Sequence, residues 1–227
     1  MKKITKSKTL FILDWDDTLF PTNWVVKNGI NLMNSAIRDQ YTTYFQELDR
    51  VLSVFLKNST NMGKVIIVTN ALLDWIHVSS IVLPKTYTLL KKIKIVSARG
   101  SYRHKSSNIM DWKTMAFRDV VDEEFKNNSL MHVISVGDAE YEYQALISLN
   151  SNQNKETEKY LKSVRFVKNP SHDVLIEQLE VLNNAIEDVW LKQNHLDLIF
   201  DTHLSIDKKN KKNTNKSNKL NKPNKIK

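Results

Sequence analysis

Seven polar side chains in this chain stand where a parallel sheet would bring them together. Each of them closes a short apolar run, follows one, or lies where a helical pattern opens. They are Asp14, Asp16, Thr69, Asn70, Lys113, Asp138 and Glu142. Carboxylates gathered at one point repel one another and need a cation, and hard oxygen ligands suit Mg²⁺. The set therefore predicts a magnesium site.

The same residue types can transfer a phosphoryl group. A carboxylate such as Asp14 can attack phosphorus and form an aspartyl-phosphate. A second carboxylate two residues later, Asp16, can serve the leaving-group proton and then the attacking water. The hydroxyl of Thr69 and the ammonium of Lys113 can hold the transferring oxygens. We therefore expect these four residues to be catalytic. Three residues, Thr69, Asn70 and Lys113, are expected to bind the substrate.

The elements that must position these residues follow from hydrophobic periodicity. Short runs rich in Val and Ile predict buried strands, and apolar residues at helical spacing predict amphipathic helices between them. The strands cover residues 9–14, 64–69, 94–98, 132–136 and 163–167, and the helices 39–56, 114–125 and 175–190. This alternation predicts an α/β fold with a doubly wound, Rossmann-like parallel sheet. Ligands bind such sheets at the carboxyl ends of the strands, where the polar residues fall.

The order of the residues resembles the four motifs of the haloacid dehalogenase (HAD) superfamily over residues 10–170. The motifs read Asp14-Trp15-Asp16-Asp17-Thr18, then Thr69, then Lys113, then Gly137-Asp138-Ala139-Glu140-Tyr141-Glu142. The chain is similar to a HAD-like phosphatase subgroup with Asp-Trp-Asp-Asp-Thr-Leu and Gly-Asp-x-Glu-Tyr-Glu segments. The resemblance implies that Asp14 is the nucleophile and a Mg²⁺ ligand, and that Asp16 reaches the metal through its backbone carbonyl. It further implies that Asp138 binds Mg²⁺ directly and that Glu142, longer than the usual Asp, acts through water.

The resemblance implies a magnesium-dependent phosphohydrolase that acts on a phosphomonoester through an aspartyl-phosphate. Two alternatives stay open: a noncatalytic HAD-like binding module, and a nucleic-acid-associated phosphatase. A HAD-like protein that has lost its activity usually lacks the residue at the position of Asp14 or Asp16. Both are present here, which favours the enzyme over the binding module. Lys105 is a rival for Lys113, because it also lies between the third and fourth predicted strands. The segment at about 20–40 leaves room for a small helical flap and no large cap domain, which implies an open site.

Composition narrows the remaining possibilities. The chain has no cysteine, which excludes disulfides, thiolate metal sites and a Cys nucleophile. Neither a membrane span nor a signal peptide is predicted, so we expect a cytoplasmic or nuclear protein rather than a secreted one. Residues 205–227 hold nine Lys and one Asp, or +8 of the net charge of +9. That tail predicts disorder, beside the folded domain at 1–204. A solvated extension without a role is the favoured interpretation of the tail, and weak nucleic-acid contact is the alternative.

Overall fold

The computed structural model describes residues 4–124, 132–150 and 159–201 of the chain. Six strands form one sheet in the order β3-β2-β1-β4-β5-β6, and every neighbouring pair is parallel. Their bounds are β1 Thr9–Leu13, β2 Lys64–Thr69, β3 Lys94–Ser97, β4 His132–Gly137, β5 Tyr160–Arg165 and β6 Leu196–Ile199. The strand order reverses beside β1, between β2 and β4. The predicted α/β class with a doubly wound, Rossmann-like sheet is confirmed.

Helices cover both faces of this sheet. Their bounds are α1 Thr22–Lys27, α2 Ser35–Arg38, α3 Thr42–Met62, α4 Leu73–Ser80, α5 Pro84–Leu90, α6 Ala98–Tyr102, α7 Ile109–Glu124, α8 Glu140–Ser148 and α9 His172–Leu191. Helices α3, α5 and α9 pack in one hydrophobic core and α6, α7 and α8 in the other. A sheet covered on both faces explains why its strands are continuously apolar rather than alternating.

The central strand β1 shows how the sequence divides between the two cores. Phe11 and Leu13 belong to the core with α3 and α9, whereas Leu10 and Ile12 belong to the core with α7 and α8. All four side chains are buried. Alternate residues of a strand point to opposite faces, so this run of apolar residues needs both layers of helices. The buried strand fixes the position of the residues that follow it, beginning with Asp14.

Several elements differ from those predicted. Helix α3 covers Thr42–Met62 rather than 39–56, and α9 begins at His172 rather than at 175. Strand β5 begins at Tyr160 rather than at 163, because Lys162 is buried within it and its ammonium donates to two carbonyls at the end of α9. Strand β6 was not predicted, since its four residues include Asp197, whose carboxylate is paired with Arg165 of β5. Helix α7 begins at Ile109 rather than at 114, so Lys113 lies in its second turn and not at its start.

The segment predicted to form a small flap contains α1 and α2, and the described chain between Thr18 and Lys64 holds no separate cap domain. Trp24 of α1 packs against a group of aromatic rings at the N-terminal ends of α3 and α9. These rings belong to Tyr41, Tyr44, Phe45 and His172. No helix in the described part of the chain is long and apolar enough to span a membrane. The basic tail at 205–227, with its predicted disorder, lies outside the described residues.

Candidate active site

A cleft of about 290 Å³ opens at the carboxyl ends of the strands, beside the point where the strand order reverses. The residues that line it come from the ends of β1, β2, β4 and β5 and from helices α1, α7 and α8. They are Asp14, Asp16, Asp17, Thr22, Asn23, Asn70, Lys113, Asp138, Ala139, Tyr141, Lys168 and Asn169. Five of the seven polar residues singled out in the sequence lie on this wall. The other two, Thr69 and Glu142, are buried directly behind it.

A buried lysine is paired with two carboxylates at the floor of the cleft. The ammonium of Lys113 lies 2.5 Å from Oδ1 of Asp14 and also donates to Oε1 of Glu142. Lys113 is 1 % exposed, Asp14 5 % and Glu142 3 %. Its predicted rival, Lys105, is exposed and lies over the ring of Tyr102. The geometry therefore gives Lys113, and not Lys105, the place beside Asp14.

The second carboxylate oxygen of Glu142 accepts a hydrogen bond of 3.0 Å from the backbone N–H of Ala139. Both of its oxygens are thus engaged, one by Lys113 and one by the start of α8. Such a carboxylate orients the lysine and caps the helix at the same time. The prediction that Glu142 reaches a metal stays a prediction, and its observed contacts are those of a residue that holds Lys113 in place.

Asp14 and Asp138 are joined through one hydroxyl. The side chain of Thr18, which is fully buried, lies 3.4 Å from Oδ2 of Asp14 and 3.4 Å from Oδ1 of Asp138. The backbone N–H of Asp14 donates to the carbonyl of Val136 at 2.9 Å, which ties the end of β1 to the end of β4. Neighbouring parallel strands thus bring together two carboxylates that are 124 positions apart in the sequence.

Three donors hold the carboxylate of Asp16. Its Oδ1 accepts from the hydroxyl of Thr22 at 2.5 Å and from the indole N–H of Trp75 at 2.7 Å. Its Oδ2 has one longer contact, 3.4 Å from the hydroxyl of Thr69. That hydroxyl also accepts a hydrogen bond from the N–H of Ala71, so its one hydrogen is directed at Oδ2 of Asp16 over a long contact. Of the two oxygens of Asp16, Oδ2 is therefore the one able to exchange a proton.

The loop between β1 and α1 is fixed by Asp17. This residue has a φ of +55°, a conformation that Asp adopts more readily than most residues. Its carboxylate accepts from the backbone N–H of Asn23 at 2.9 Å and from the amide of the same residue. These contacts make Asp17 a cap for the first turn of α1. The bond to Asn23 holds the start of α1 over the cleft.

The amide of Asn70 has no hydrogen-bond partner in the described part of the chain. Its nitrogen and oxygen are both buried, and neither is hydrogen-bonded to any described residue. Leaving a buried polar group unsatisfied costs about 1–3 kcal/mol, so such a group calls for an explanation. Asn70 lines the cleft, which makes a ligand with polar oxygens the simplest one. This observation supports the prediction that Asn70 binds substrate.

Burial and mutual repulsion shift the ionisation of the acidic residues. Burial raises the pKa of Asp14 well above its usual range, and the charges of Glu142 and Asp138 add to that effect, while Lys113 opposes it. Burial, with the charge of Glu142, raises the pKa of Asp138 to about 7. Burial alone would lower the pKa of Lys113, but the charges of Asp14 and Glu142 outweigh it and raise that pKa. The site therefore carries more negative charge than its own lysine stabilises.

A hard divalent cation fits this surplus of carboxylate charge. Among the described residues no three acidic or histidine side chains stand close enough to form a metal site by themselves. Mg²⁺, however, usually binds through one or two carboxylates and completes its shell with water and substrate phosphate oxygens. Asp14 and Asp138, which flank the hydroxyl of Thr18, are the two carboxylates that could hold it in this way.

Several residues that line the cleft or hold its side chains were not predicted as site residues. Trp75 bonds Asp16, and nothing in its spacing in the sequence indicates that bond. Lys168 and Asn169 carry a clearer signal, because they directly follow the predicted strand 163–167. The rule that ligands bind after strand ends applies to them as it does to Asp14 and Asp138.

Comparison with known proteins gives no further guide to this site. No family model, no curated protein and no solved structure matches the chain.

Gly137 is predicted to tolerate no larger residue, because a side chain at this position would clash with Glu142. A Cβ at this position would lie 2.8 Å from Cβ of Glu142, closer than real Cβ atoms approach. We expect Gly137→Ala to displace Glu142, and with it Lys113, at a cost of about 1–3 kcal/mol in the free energy of unfolding. Urea unfolding and turnover measured on the same preparation test this. A variant with unchanged stability and turnover would show that the contact is easily relieved.

Asp138 is predicted to make the metal-free protein less stable as the pH rises. Its raised folded-state pKa means that the native protein binds a proton that the unfolded chain has already released between about pH 4 and pH 7. The free energy of unfolding therefore falls through this window. At pH 7 with EDTA we expect Asp138→Asn to be more stable than the natural protein by about 1–2 kcal/mol. If the natural protein and Asp138→Asn had the same urea midpoint as each other, both at pH 5 and at pH 7, this prediction would be contradicted.

Proposed function

We propose that this protein is a Mg²⁺-dependent phosphohydrolase of the HAD type, which hydrolyses a phosphomonoester through an aspartyl-phosphate on Asp14. The observation that carries the proposal is the buried pairing of Lys113 with Asp14 at the floor of an open cleft, under the ends of the central strands. A carboxylate in that position can reach a ligand, and a lysine buried beside it can neutralise charge. The family assignment rests on the four sequence motifs.

In the first half of the proposed reaction, Asp14 attacks phosphorus while the bond to the leaving oxygen breaks. Lys113 stabilises the charge on the transferring oxygens, and Asn70 gives those oxygens a further donor. The hydroxyl of Thr69 joins them when it exchanges its long contact with Asp16 for one to a phosphoryl oxygen. Asp16 delivers a proton to the leaving oxygen from Oδ2, the less engaged of its two oxygens. The products of this half are an alcohol and the phosphorylated Asp14.

In the second half, Asp16 accepts a proton from a water molecule, and the oxygen of that water attacks the same phosphorus. The bond between phosphorus and Asp14 breaks, inorganic phosphate leaves, and the carboxylate of Asp14 is restored. Mg²⁺, held by Asp14, Asp138 and the backbone carbonyl of Asp16, would supply charge neutralisation for the transferring group. Thr18 keeps the two carboxylates in position through its hydroxyl.

Two of the contacts favour catalysis over a noncatalytic binding module. A binding module needs a cation beside the ligand, but it does not need Asp16 held by three donors with one oxygen left able to transfer a proton. Nor does it need a carboxylate nucleophile aligned by a buried lysine. The nucleic-acid alternative depends on the basic tail, which lies outside the described residues, and no contact in the cleft favours it.

Hydrolysis of a generic aryl phosphate tests the proposal. We expect turnover that requires Mg²⁺, stops when EDTA is added, and returns when Mg²⁺ is restored in excess. Thermal unfolding in the same buffers shows whether EDTA acts on the site or on the fold. Turnover that is unchanged by EDTA would contradict the metal requirement. No turnover with any aryl or alkyl phosphate, under conditions where Mg²⁺ binds, would favour the binding-module alternative.

A further inference from the structure

Lys168 is the second lysine among the described residues that line the cleft. It lines the same cleft as Asp14 and Asp138 and is exposed. No hydrogen bond or ion pair joins its side chain to another described residue, whereas Lys113 is shared between two carboxylates. An exposed lysine is usually a solvated surface residue. Whether Lys168 binds a ligand therefore depends on where its loop lies and on what holds that loop in place.

The loop that carries Lys168 is fixed on both sides. Before it, the N–H of Phe166 donates to the carbonyl of Gly137 at 2.8 Å, and the N–H of Val167 donates to the side chain of Gln178 at 2.6 Å. After it, Pro170 is buried. Surface loops are commonly mobile, whereas this one is held against the sheet beside Asp138. The backbone of Lys168 therefore has a defined place at the mouth of the cleft.

A second tie connects this loop to the loop that holds Asp17. The amide of Asn23 donates to Asn169 at 2.5 Å and also to the carboxylate of Asp17. Asn169 has a φ of +49°, a backbone conformation that costs energy in most residues but that Asn adopts more readily than other non-glycine residues. The wall that presents Lys168 is thus built from α1 and from the segment between β5 and α9, and it is linked directly to the motif that begins with Asp14.

From this arrangement we infer that Lys168 forms a subsite for a second anionic group of the substrate, a carboxylate or a further phosphate on the leaving-group side. The inference rests on the proposed function, because it takes the transferring phosphoryl group to lie between Asp14, Asn70 and Lys113. A flexible ammonium on a fixed loop can reach such a group from the outer side of the cleft and pair with it. The substrate class is therefore a phosphomonoester that carries another negative charge.

Binding of phosphonates tests the subsite without depending on turnover. Propylphosphonate has one anionic group, phosphonopropionate adds a carboxylate at nearly the same size, and ethylenebisphosphonate adds a second phosphonate. We would measure the three Kd values by calorimetry with Mg²⁺ present. The proteins are the natural one, Lys168→Gln, Lys168→Arg, and the control Lys57→Gln, which removes an exposed lysine of α3 with no described side-chain partner.

We expect the natural protein to bind at least one of the doubly anionic compounds about tenfold more tightly than propylphosphonate, as an ion pair at the mouth of a cleft allows. Lys168→Gln should lose this preference, while Lys168→Arg and Lys57→Gln keep it. Which of the two compounds is preferred distinguishes a carboxylate from a phosphate subsite. No preference in the natural protein, a preference unchanged in Lys168→Gln, or no binding of any compound would overturn the inference. Failure of the proposed function would appear separately, as absent hydrolysis of phosphate esters.

Discussion

Asp14→Asn is expected to lower turnover of an aryl phosphate by about 10⁴-fold or more, the scale of loss found when a covalent nucleophile is removed. An amide oxygen is a poor nucleophile, so the first step of the proposed reaction fails. The fold should survive, because Lys113 keeps its bond to Glu142, the amide oxygen can still accept from Lys113, and the amide nitrogen can donate to the hydroxyl of Thr18. Steady-state kinetics at saturating Mg²⁺ measure the first effect, and thermal unfolding measures the second.

Asp188→Asn is the matched control for that variant. It makes the same change of charge at an exposed position of α9. Turnover of this control should equal that of the natural protein within experimental error. Retained turnover in Asp14→Asn, with the control also active, would remove Asp14 from the role of nucleophile. Loss of turnover together with a large fall in melting temperature would mean that Asp14 acts mainly on the fold.

Lys113→Met is expected to cost about 3–5 kcal/mol in the free energy of unfolding at pH 7, since it leaves two buried carboxylates without their cation. Asp14 and Glu142 are both almost fully buried, and the lysine is the group that separates them. Turnover should also disappear, because no ammonium remains beside the transferring oxygens. Urea unfolding of the metal-free protein at pH 7 gives the first value.

The pH dependence of Lys113→Met makes this prediction specific. Without Lys113, the pKa of Asp14 rises further, because that lysine is what opposes the effect of burial. A protonated Asp14 removes the repulsion, so part of the lost stability should return when the pH is lowered from 7 to 5. Lys94→Met is the control, as its lysine is 34 % exposed and pairs with the exposed Glu123 and the partly buried Glu124. We expect this control to lose at most about 1 kcal/mol. Equal losses for the two variants would contradict the account of the buried pair.

The class of the fold could be predicted from the sequence because buried parallel strands leave a strong local signal. The continuous runs around β1, β2 and β4 are apolar on both faces, and their ends lie within one residue of those predicted. Strand β5 was placed three residues too late, and β6 was missed. Both contain a charged side chain whose burial depends on a partner elsewhere in the chain, Lys162 with the end of α9 and Asp197 with Arg165. Such tertiary pairing is invisible to local periodicity.

The candidate site also has features that the sequence predicts and features that depend on tertiary packing. The grouping of Asp14, Asn70 and Asp138 could be predicted, because residues that follow parallel strands meet at one edge of the sheet. The partners of Asp16 could not, since Trp75 reaches it from α4, whose orientation depends on packing. The engagement of both oxygens of Glu142 also needed the fold, because α8 must begin next to α7 before Lys113 and the Ala139 N–H can reach them.

The covalent intermediate on Asp14 is the central claim, and trapping it is the most direct test. Asp16→Asn keeps the nucleophile but removes the base that activates water, a contribution of about 10²–10⁴-fold. We would mix this variant with an aryl phosphate and Mg²⁺, quench in acid, and map the peptides by mass spectrometry. We predict one added phosphoryl group on the peptide that contains Asp14, stable in acid and lost in base, and absent when Asp14 is also replaced by Asn. Product formation without phosphorylation of Asp14 at any time point would contradict the mechanism.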